Sequence, residues 1–356
     1  MLVAFIKSTL VQARASRKPA PASCLAEIDT LSAPWPRSDA TIWPMATERV
    51  LCVGDVNLDV SITVEDQVVV GSDSQGTVEI LPGGSAANVA SWLTAGGVPT
   101  RFVGAIGRDL AGQTLHHDLE QREIDVHLVA HPTGATKAIA ALVGSDGERS
   151  LVSDLNHTVA LSIDDYQPQW LDGIRWLHLT GYSYIHTQTR PLFVRLINEA
   201  HRRHIPTSVD PSAAELLRQH CDRHEVLAAC AGTTLLCPNQ DEATYLTGLD
   251  SPADAAVKLL DLASMVAVTC GSAGVVVAQR PGHNPVGDPG NDDAMPLRLH
   301  AEPVTMVDAI GCGDAFAAGV IAGLVAGLGI EKAAQQGNEW GSRAATTKGG
   351  RPALGR

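Results

Sequence analysis

Asp308-Ala309-Ile310-Gly311-Cys312-Gly313-Asp314 runs directly into a long apolar stretch with helical character. Glycines at 311 and 313 let the backbone turn sharply and come close to a ligand. Their amides would then sit at a helix N-terminus, where the dipole favours an anion. A carboxylate placed there, Asp314, would accept the proton of an attacking hydroxyl. The same amides would stabilise charge growing on a transferring phosphoryl group. Taken alone, the segment is equally a glycine turn with Asp314 as a helix cap.

Two further segments gain meaning beside it. Gly83-Gly84-Ser85-Ala86-Ala87-Asn88 also leads into a helix and, alone, reads as a turn with an N-cap. In Gly54-Asp55-Val56-Asn57-Leu58-Asp59, Asn57 and Asp59 alternate on one side of an extended chain at the C-terminal end of a strand. Open α/β sheets bind ligands at such ends. An amide beside a carboxylate there suits vicinal hydroxyls, and Asp55 is either a further contact or an ordinary strand-end polar residue. No GxxxxGK[ST] occurs, and no GxGxxG follows the first strand. Any phosphate chemistry must therefore proceed without a P-loop.

The elements that would position these segments follow from hydrophobic periodicity. Strands are expected at 49–53, 60–70, 76–81, 101–105, 137–143, 150–153, 176–179, 207–209, 234–237, 266–269 and 274–278. Helices are expected at 85–95, 191–203, 213–220, from 240 onward, at 315–327 and at 330–346. This alternation predicts an α/β fold with a mostly parallel sheet and helices on both faces. The β-rich stretches 59–81 and 133–153, the second with a hairpin turn at 144–147, fit neither role and predict a small separate sheet, a lid. Residues 282–295 read as an exposed loop.

Of the 356 residues, 45% are apolar and 18% charged, enough for a sizeable core. The net charge of −13, with no Lys/Arg-rich stretch in the folded part, argues against a nucleic-acid partner. Seven cysteines, an odd number without a CxxC pair, point to reduced thiols and a cytoplasmic protein. The longest apolar run, 315–329, is shorter than the ~18 residues of a membrane span and reads as a buried helix. Residues 1–45 stand apart. They begin basic and acid-poor, then turn Pro-, Ser- and Ala-rich, and read as a poorly ordered extension, a start assigned upstream of Met45, or a transit segment. The domain proper is therefore expected over 46–356. His201 and His204, and His220, Cys221 and His224, have helical metal-ligand spacing, but their arginine-rich surroundings mark solvated helix faces. Trp170 and Trp176 read as core.

In this order and spacing, the 83–88 and 308–314 segments resemble the two signatures of the ribokinase-like PfkB carbohydrate kinases. Asn239-Gln240-Asp241-Glu242 resembles that family's NxxE motif, Thr269 to Gly274 its TxGxxG segment, and Gly107 to Gly112 its GxDxxG turn. The resemblance spans about residue 49 to the C-terminus. It implies a central sheet of eight or nine strands, a β lid that often makes a dimer contact, and ATP-dependent phosphorylation of a hydroxymethyl group. It further implies Asp314 as base and the amides of Gly311, Cys312 and Gly313 as anion hole. Asn57, Asp59, Gly83, Gly84 and Asn88 would hold the acceptor. Asn239 and Glu242 would serve Mg²⁺ through water, and Thr269, Gly271, Gly274 and Asn338 the nucleotide. Asp308 and the Ile310 carbonyl would be candidates for a monovalent cation such as K⁺.

This chain departs from the family pattern at Ala309 and Cys312, which keep the base and the amides, and at Ser85 and Ala86, which weaken ribose as acceptor. Cys312 reads as a small apolar residue. Other sugars and nucleosides stay open, as does, more distantly, a sugar-sensing protein on the same fold. A sugar-phosphate acceptor would need a cationic clamp, for which Lys137, Arg149 and Arg108 are the candidates.

Overall fold

A computed structural model describes residues 48–64, 71–143, 149–154, 157–282 and 296–354. The expected N-terminal extension, the far end of the 60–70 strand, the 144–147 turn and nearly all of the 282–295 loop lie outside these residues.

The first half comprises β1 (Arg49–Val53), β2 (Asn57–Val64), β3 (Gly76–Gly83), α1 (Ser85–Ala95), β4 (Thr100–Gly107), α2 (Leu110–Gln121), β5 (Asp125–His131), β6 (Ala138–Val143) and β7 (Arg149–Ser153). Then follow β8 (Ile174–Thr180), α3 (Gly181–Ile185), α4 (Arg190–Arg202), β9 (Thr207–Asp210), α5 (Ala214–His220), α6 (Arg223–Cys230) and β10 (Thr233–Leu236). The remainder is α7 (Gln240–Thr247), α8 (Pro252–Leu259), β11 (Ala263–Thr269), β12 (Val275–Gln279), β13 (Leu297–Leu299), α9 (Cys312–Val325) and α10 (Ile330–Ala345).

Nine strands form one sheet in the order β13-β12-β11-β10-β9-β8-β1-β4-β5. Pairing is parallel from β11 across to β5 and antiparallel at β11–β12 and β12–β13. β1 lies inside this sheet, and its Val50, Leu51 and Cys52 are fully buried, as expected of a strand covered on both faces. Leu51 and Val53 join one buried cluster with Leu192 and Leu196 of α4. The alternate residues Val50 and Cys52 point to the other face, on which α1 packs.

The segments 59–81 and 133–153 do form a second sheet, ordered β3-β2-β6-β7. Asn57 and Asp59 belong to it. They open lid strand β2 instead of closing β1, because the chain leaves the large sheet at Gly54–Val56. The sequence reading passed over α2 and β5 altogether. Only Gly112, Leu115 and Leu119 of α2 are buried, a stripe too narrow to stand out, and β5 is an edge strand of mixed polarity. α6, α8 and the three-residue β13 were passed over for the same want of a clear apolar pattern.

The apolar run expected at 315–327 is α9, packed along α10. A Cβ on Gly319 would lie 2.8 Å from the Cα of Gly337, so the small residues set how closely the two helices approach. Trp170 and Trp176 are both buried. No helix among the described residues is long and apolar enough to cross a membrane.

Candidate active site

Asp314 stands in the first turn of α9, behind Gly311, which caps the helix at φ 76°. A side chain at Gly311 would be strained by that φ, and its Cβ would sit 2.4 Å from the Cα of Gly350. First-turn amides of a helix have no intrahelical acceptor, and the 311–313 backbone lies at that end. The Cys312 amide donates to the Ala309 carbonyl at 3.4 Å, a long bond that a ligand anion would have to displace. A Cβ at Gly313 would meet nothing within 4 Å, so the space in front of that turn is open.

Both oxygens of Asp314 are held from the other glycine segment. Ser85 Oγ donates to Oδ1 at 2.6 Å, and Asn88 Nδ2 donates to Oδ2 at 2.8 Å. Burial pushes the Asp314 carboxyl up to about 7; the Ser85 and Asn88 bonds oppose the rise, and the charges of Asp210 and Asp55 add to it. Burial likewise pushes the half-exposed Cys312 thiol up to about 11, which keeps it neutral near pH 7. Its Sγ points toward the Asp308 carbonyl at 3.8 Å. The Asp308 carboxylate accepts from the amides of Ile310 and Gly349, both at 3.1 Å, and so ties the loop to the C-terminal segment.

The start of β2 lies against the Gly83–Gly84 turn. Asn57 Nδ2 donates to Asp59 Oδ1 at 2.7 Å, so the two side chains do share a side. Burial raises the Asp59 carboxyl to about 6, against the bond from Asn57. A Cβ on Gly83 would fall 2.2 Å from Asp59 Oδ2, and one on Gly84, at φ 98°, would fall 2.6 Å from the Asp55 carbonyl. The glycine pair therefore lets the loop lie flat against the Asn57–Asp59 pair. Asp55 accepts from the Ser85 amide at 2.9 Å, the Ala86 amide at 3.4 Å and Thr180 Oγ1 at 3.1 Å.

Asn239 and Glu242 form a reciprocal capping box at the start of α7. The Asn239 amide donates to Oε2 at 2.9 Å, Asn239 Nδ2 donates to Oε1 at 2.6 Å, and the Glu242 amide donates to Asn239 Oδ1 at 2.9 Å. Glu242 is buried near Asp210, which ends β9. Burial and the neighbouring Glu242 charge raise Asp210, and burial raises Glu242 as well. Sequence reasoning missed Asp210. The signal was present in Asp210-Pro211, an acid at a strand's C-terminal end followed by a turn residue. That turn is unusual, since Ser212 and Ala213 both have positive φ (53° and 46°).

On the opposite flank, Thr269 ends β11 and bridges to Asn239. Gly271 and Gly274 take positive φ around a single 3₁₀ turn. A Cβ on Gly274 would meet the Leu299 carbonyl at 2.1 Å. Asn338 of α10 reaches the same strand end, with Nδ2 3.4 Å from the Leu299 carbonyl and 3.3 Å from that of His300. Gly274 and Asn338 thus meet at the Leu299 carbonyl, with Thr269 and Gly271 on the adjoining end of β11.

Arg351 also escaped the sequence reading. It is 5% exposed. Its guanidinium donates to the Gly83 carbonyl at 2.7 Å, to Asn88 Oδ1 at 3.3 Å and to Asp118, which Arg122 grips as well. The expected acceptor residue Asn88 thus spends its side chain on Asp314 and Arg351. Of the candidate clamp residues, Lys137 is buried, Arg108 is exposed, and the Arg149 side chain lies outside what is described. His201 is half buried, not fully solvated. Among the described residues no three His, Cys, Asp or Glu side chains are grouped to hold a metal.

The family description "pfkB family carbohydrate kinase" matches residues 47–354. A fructokinase of Salmonella typhimurium is 26% identical over 299 residues, covering 79% of this chain and 91% of its own. An ATP-dependent ribose-1-phosphate kinase of Halopiger xanaduensis is 29% identical over 316 residues, covering 86% and 94%. Among solved structures, an adenosine kinase from Sinorhizobium meliloti superposes with a TM-score of 0.73 at 21% identity, covering 86% of this chain and 96% of that one. That last likeness bears on the fold.

Proposed function

The chain belongs to the pfkB family of carbohydrate kinases, and from that premise we propose that it transfers the γ-phosphate of ATP to a hydroxymethyl group of a sugar or sugar-like acceptor, with Asp314 as the base. One observation carries the residue assignment: Ser85 and Asn88 together hold the two oxygens of Asp314 at the open N-terminus of α9. A carboxylate so fixed, and raised to about 7, is matched to taking a hydroxyl proton near neutral pH.

The acceptor lies between the Asn57–Asp59 pair and the Gly83–Gly84 turn, its hydroxyls bonded to the amide and carboxylate. Its hydroxymethyl oxygen faces Asp314, attacks the γ-phosphorus and gives up its proton to that carboxylate, while the bond from phosphorus to the ADP oxygen breaks. The amides of Gly311, Cys312 and Gly313 meet the charge on the transferring oxygens. ATP lies along Thr269, Gly271, Gly274 and Asn338.

Asp210 and Glu242 supply hard oxygen donors with like charge to offset. That suits Mg²⁺, which binds one or two carboxylates and keeps its waters and substrate phosphates; when bound, it neutralises the phosphate charge. Asn239 fixes the Glu242 carboxylate in place. The remaining lone pairs of Asp308 and the Ile310 carbonyl are the donors a monovalent cation such as K⁺ would use.

Val78, Ile80 and Val152 of the lid are each more than 60% exposed, an apolar face suited to a second copy of the chain. Six described cysteines are free, which fits the reducing cytoplasm.

ADP release from Mg·ATP over neutral sugars, sugar phosphates, sugar acids and nucleosides tests the reading. Turnover on one class, lost in Asp314→Asn, is expected. No turnover on any class by folded, ATP-binding protein would favour a sensing protein on the same fold.

A further inference from the structure

Lys137 is the residue whose surroundings the phosphotransfer chemistry leaves unexplained. It precedes β6, and its carbonyl accepts from the Leu58 amide at 3.0 Å, which fixes it beside the first residues of the lid. Its side chain is only 7% exposed. It lines a pocket together with Asp55, Leu161, Tyr182 and His186. The ammonium lies 5.5 Å from the centre of the Tyr182 ring.

Among the described residues, no carboxylate comes within ion-pair distance of the Lys137 ammonium and no oxygen accepts from it. The Nζ itself is not sealed from solvent, so the ammonium opens to the pocket and can meet a ligand anion there. The nearby acids are occupied. Asp55, the carboxylate on the pocket wall, is held by the Ser85 and Ala86 amides and by Thr180; Asp59 is held by Asn57 and feels the Lys137 charge only beyond ion-pair distance. His186, half buried on the same wall, is pushed down first by burial and then by the charge of Lys137 itself, so it supplies no negative charge. The fold thus brings an ammonium to this pocket, next to Asn57 and Asp59 in the chain of contacts through Leu58, and its three donors have no acceptor among the described residues.

We propose that the acceptor carries its own anionic group, a phosphate or a carboxylate, and that Lys137 is the specificity residue that binds it. This rests on reading the pocket as the acceptor site of a kinase. The hydroxyls of such an acceptor meet Asn57 and Asp59, and its anion meets Lys137 over the Tyr182 ring. The hydroxymethyl group between them faces Asp314.

The test compares kcat/KM for ADP release across neutral sugars, pentose and hexose monophosphates, and sugar acids, in wild type, Lys137→Met and Lys137→Arg. Wild type is expected to favour the phosphates or the acids, and whichever it favours names the source of the anion. In Lys137→Met the ratio of anionic to neutral kcat/KM is expected to fall roughly 10- to 100-fold, mainly through KM. Lys137→Arg, which keeps the charge, should restore part of that ratio. Because wild-type preference is read without any variant, a poorly folded Lys137→Met does not decide the matter. Preference of wild type for neutral sugars, or an unchanged ratio in a folded Lys137→Met, would overturn the proposal and leave the kinase reading intact. Absence of Asp314-dependent turnover with every class would overturn the kinase reading, and this one with it.

Discussion

The two ends of the candidate site differ in how completely their polar groups are paired. At the base end, both Asp314 oxygens already have donors, Asn88 is shared between Asp314 and Arg351, and Arg351 is gripped by Asp118 and the Gly83 carbonyl. At the pocket end, Lys137 lies 5.5 Å from the Tyr182 ring centre and, among the described residues, has no carboxylate within ion-pair distance. The Asp314 end is preorganised by the fold, which is what the proposed role as base requires. The pocket end is left to be completed by a ligand. Changes at the first should therefore slow every acceptor alike, and changes at the second should alter which acceptor is used.

The largest effect expected is that of Asp314→Asn. It should lower kcat about 10³-fold for every acceptor, with ATP affinity kept, as read by ADP release and nucleotide titration. A loss confined to one acceptor would break the comparison. Arg351→Met should come next. It strands Asp118 and frees the Gly83 and Asn88 contacts, so urea unfolding should show a loss of roughly 3 kcal/mol. Its kcat should fall for all acceptors with their relative kcat/KM unchanged. Gly350→Ala is a finer probe, because its Cβ would lie 2.2 Å from Asn88 Nδ2. Displacing Asn88 from Asp314 should reduce kcat about 10-fold, the worth of one hydrogen bond to a charged group. The smallest effect on turnover belongs to Ile80→Glu. It charges the exposed lid face, and light scattering should report a smaller assembly than wild type while kcat stays within about twofold.

The large sheet and the glycine segments were legible because their signals are local. The buried run at 49–53, the helix over 85–95 and the turn into α9 each announce themselves within a few residues. Contacts across the chain were not legible. Ser85 is 229 residues from Asp314, and nothing around it in sequence marks it as a donor to that carboxylate. Arg351 carries no local signal in the sequence and becomes a buried tie only once the C-terminal segment lies against α1 and α2. The NxxE spacing is legible in the sequence, and the same Asn-x-x-Glu is also the pattern of the capping box that starts α7. Asn57 and Asp59 were correctly paired and wrongly attached, because sequence periodicity does not say which sheet a strand joins.

The most direct test of Asp314 as base is the acid limb of the pH profile of kcat/KM, measured in wild type and Ser85→Ala with the same substrates. The proton acceptor must be ionised, and burial raises this carboxyl to about 7, so activity should fall as the pH drops through that region. Removing the Ser85 bond withdraws support for the ionised form, so the limb should move up by roughly half to one pH unit. A limb that stays in place, or moves down, would show that the titrating base is some group other than Asp314.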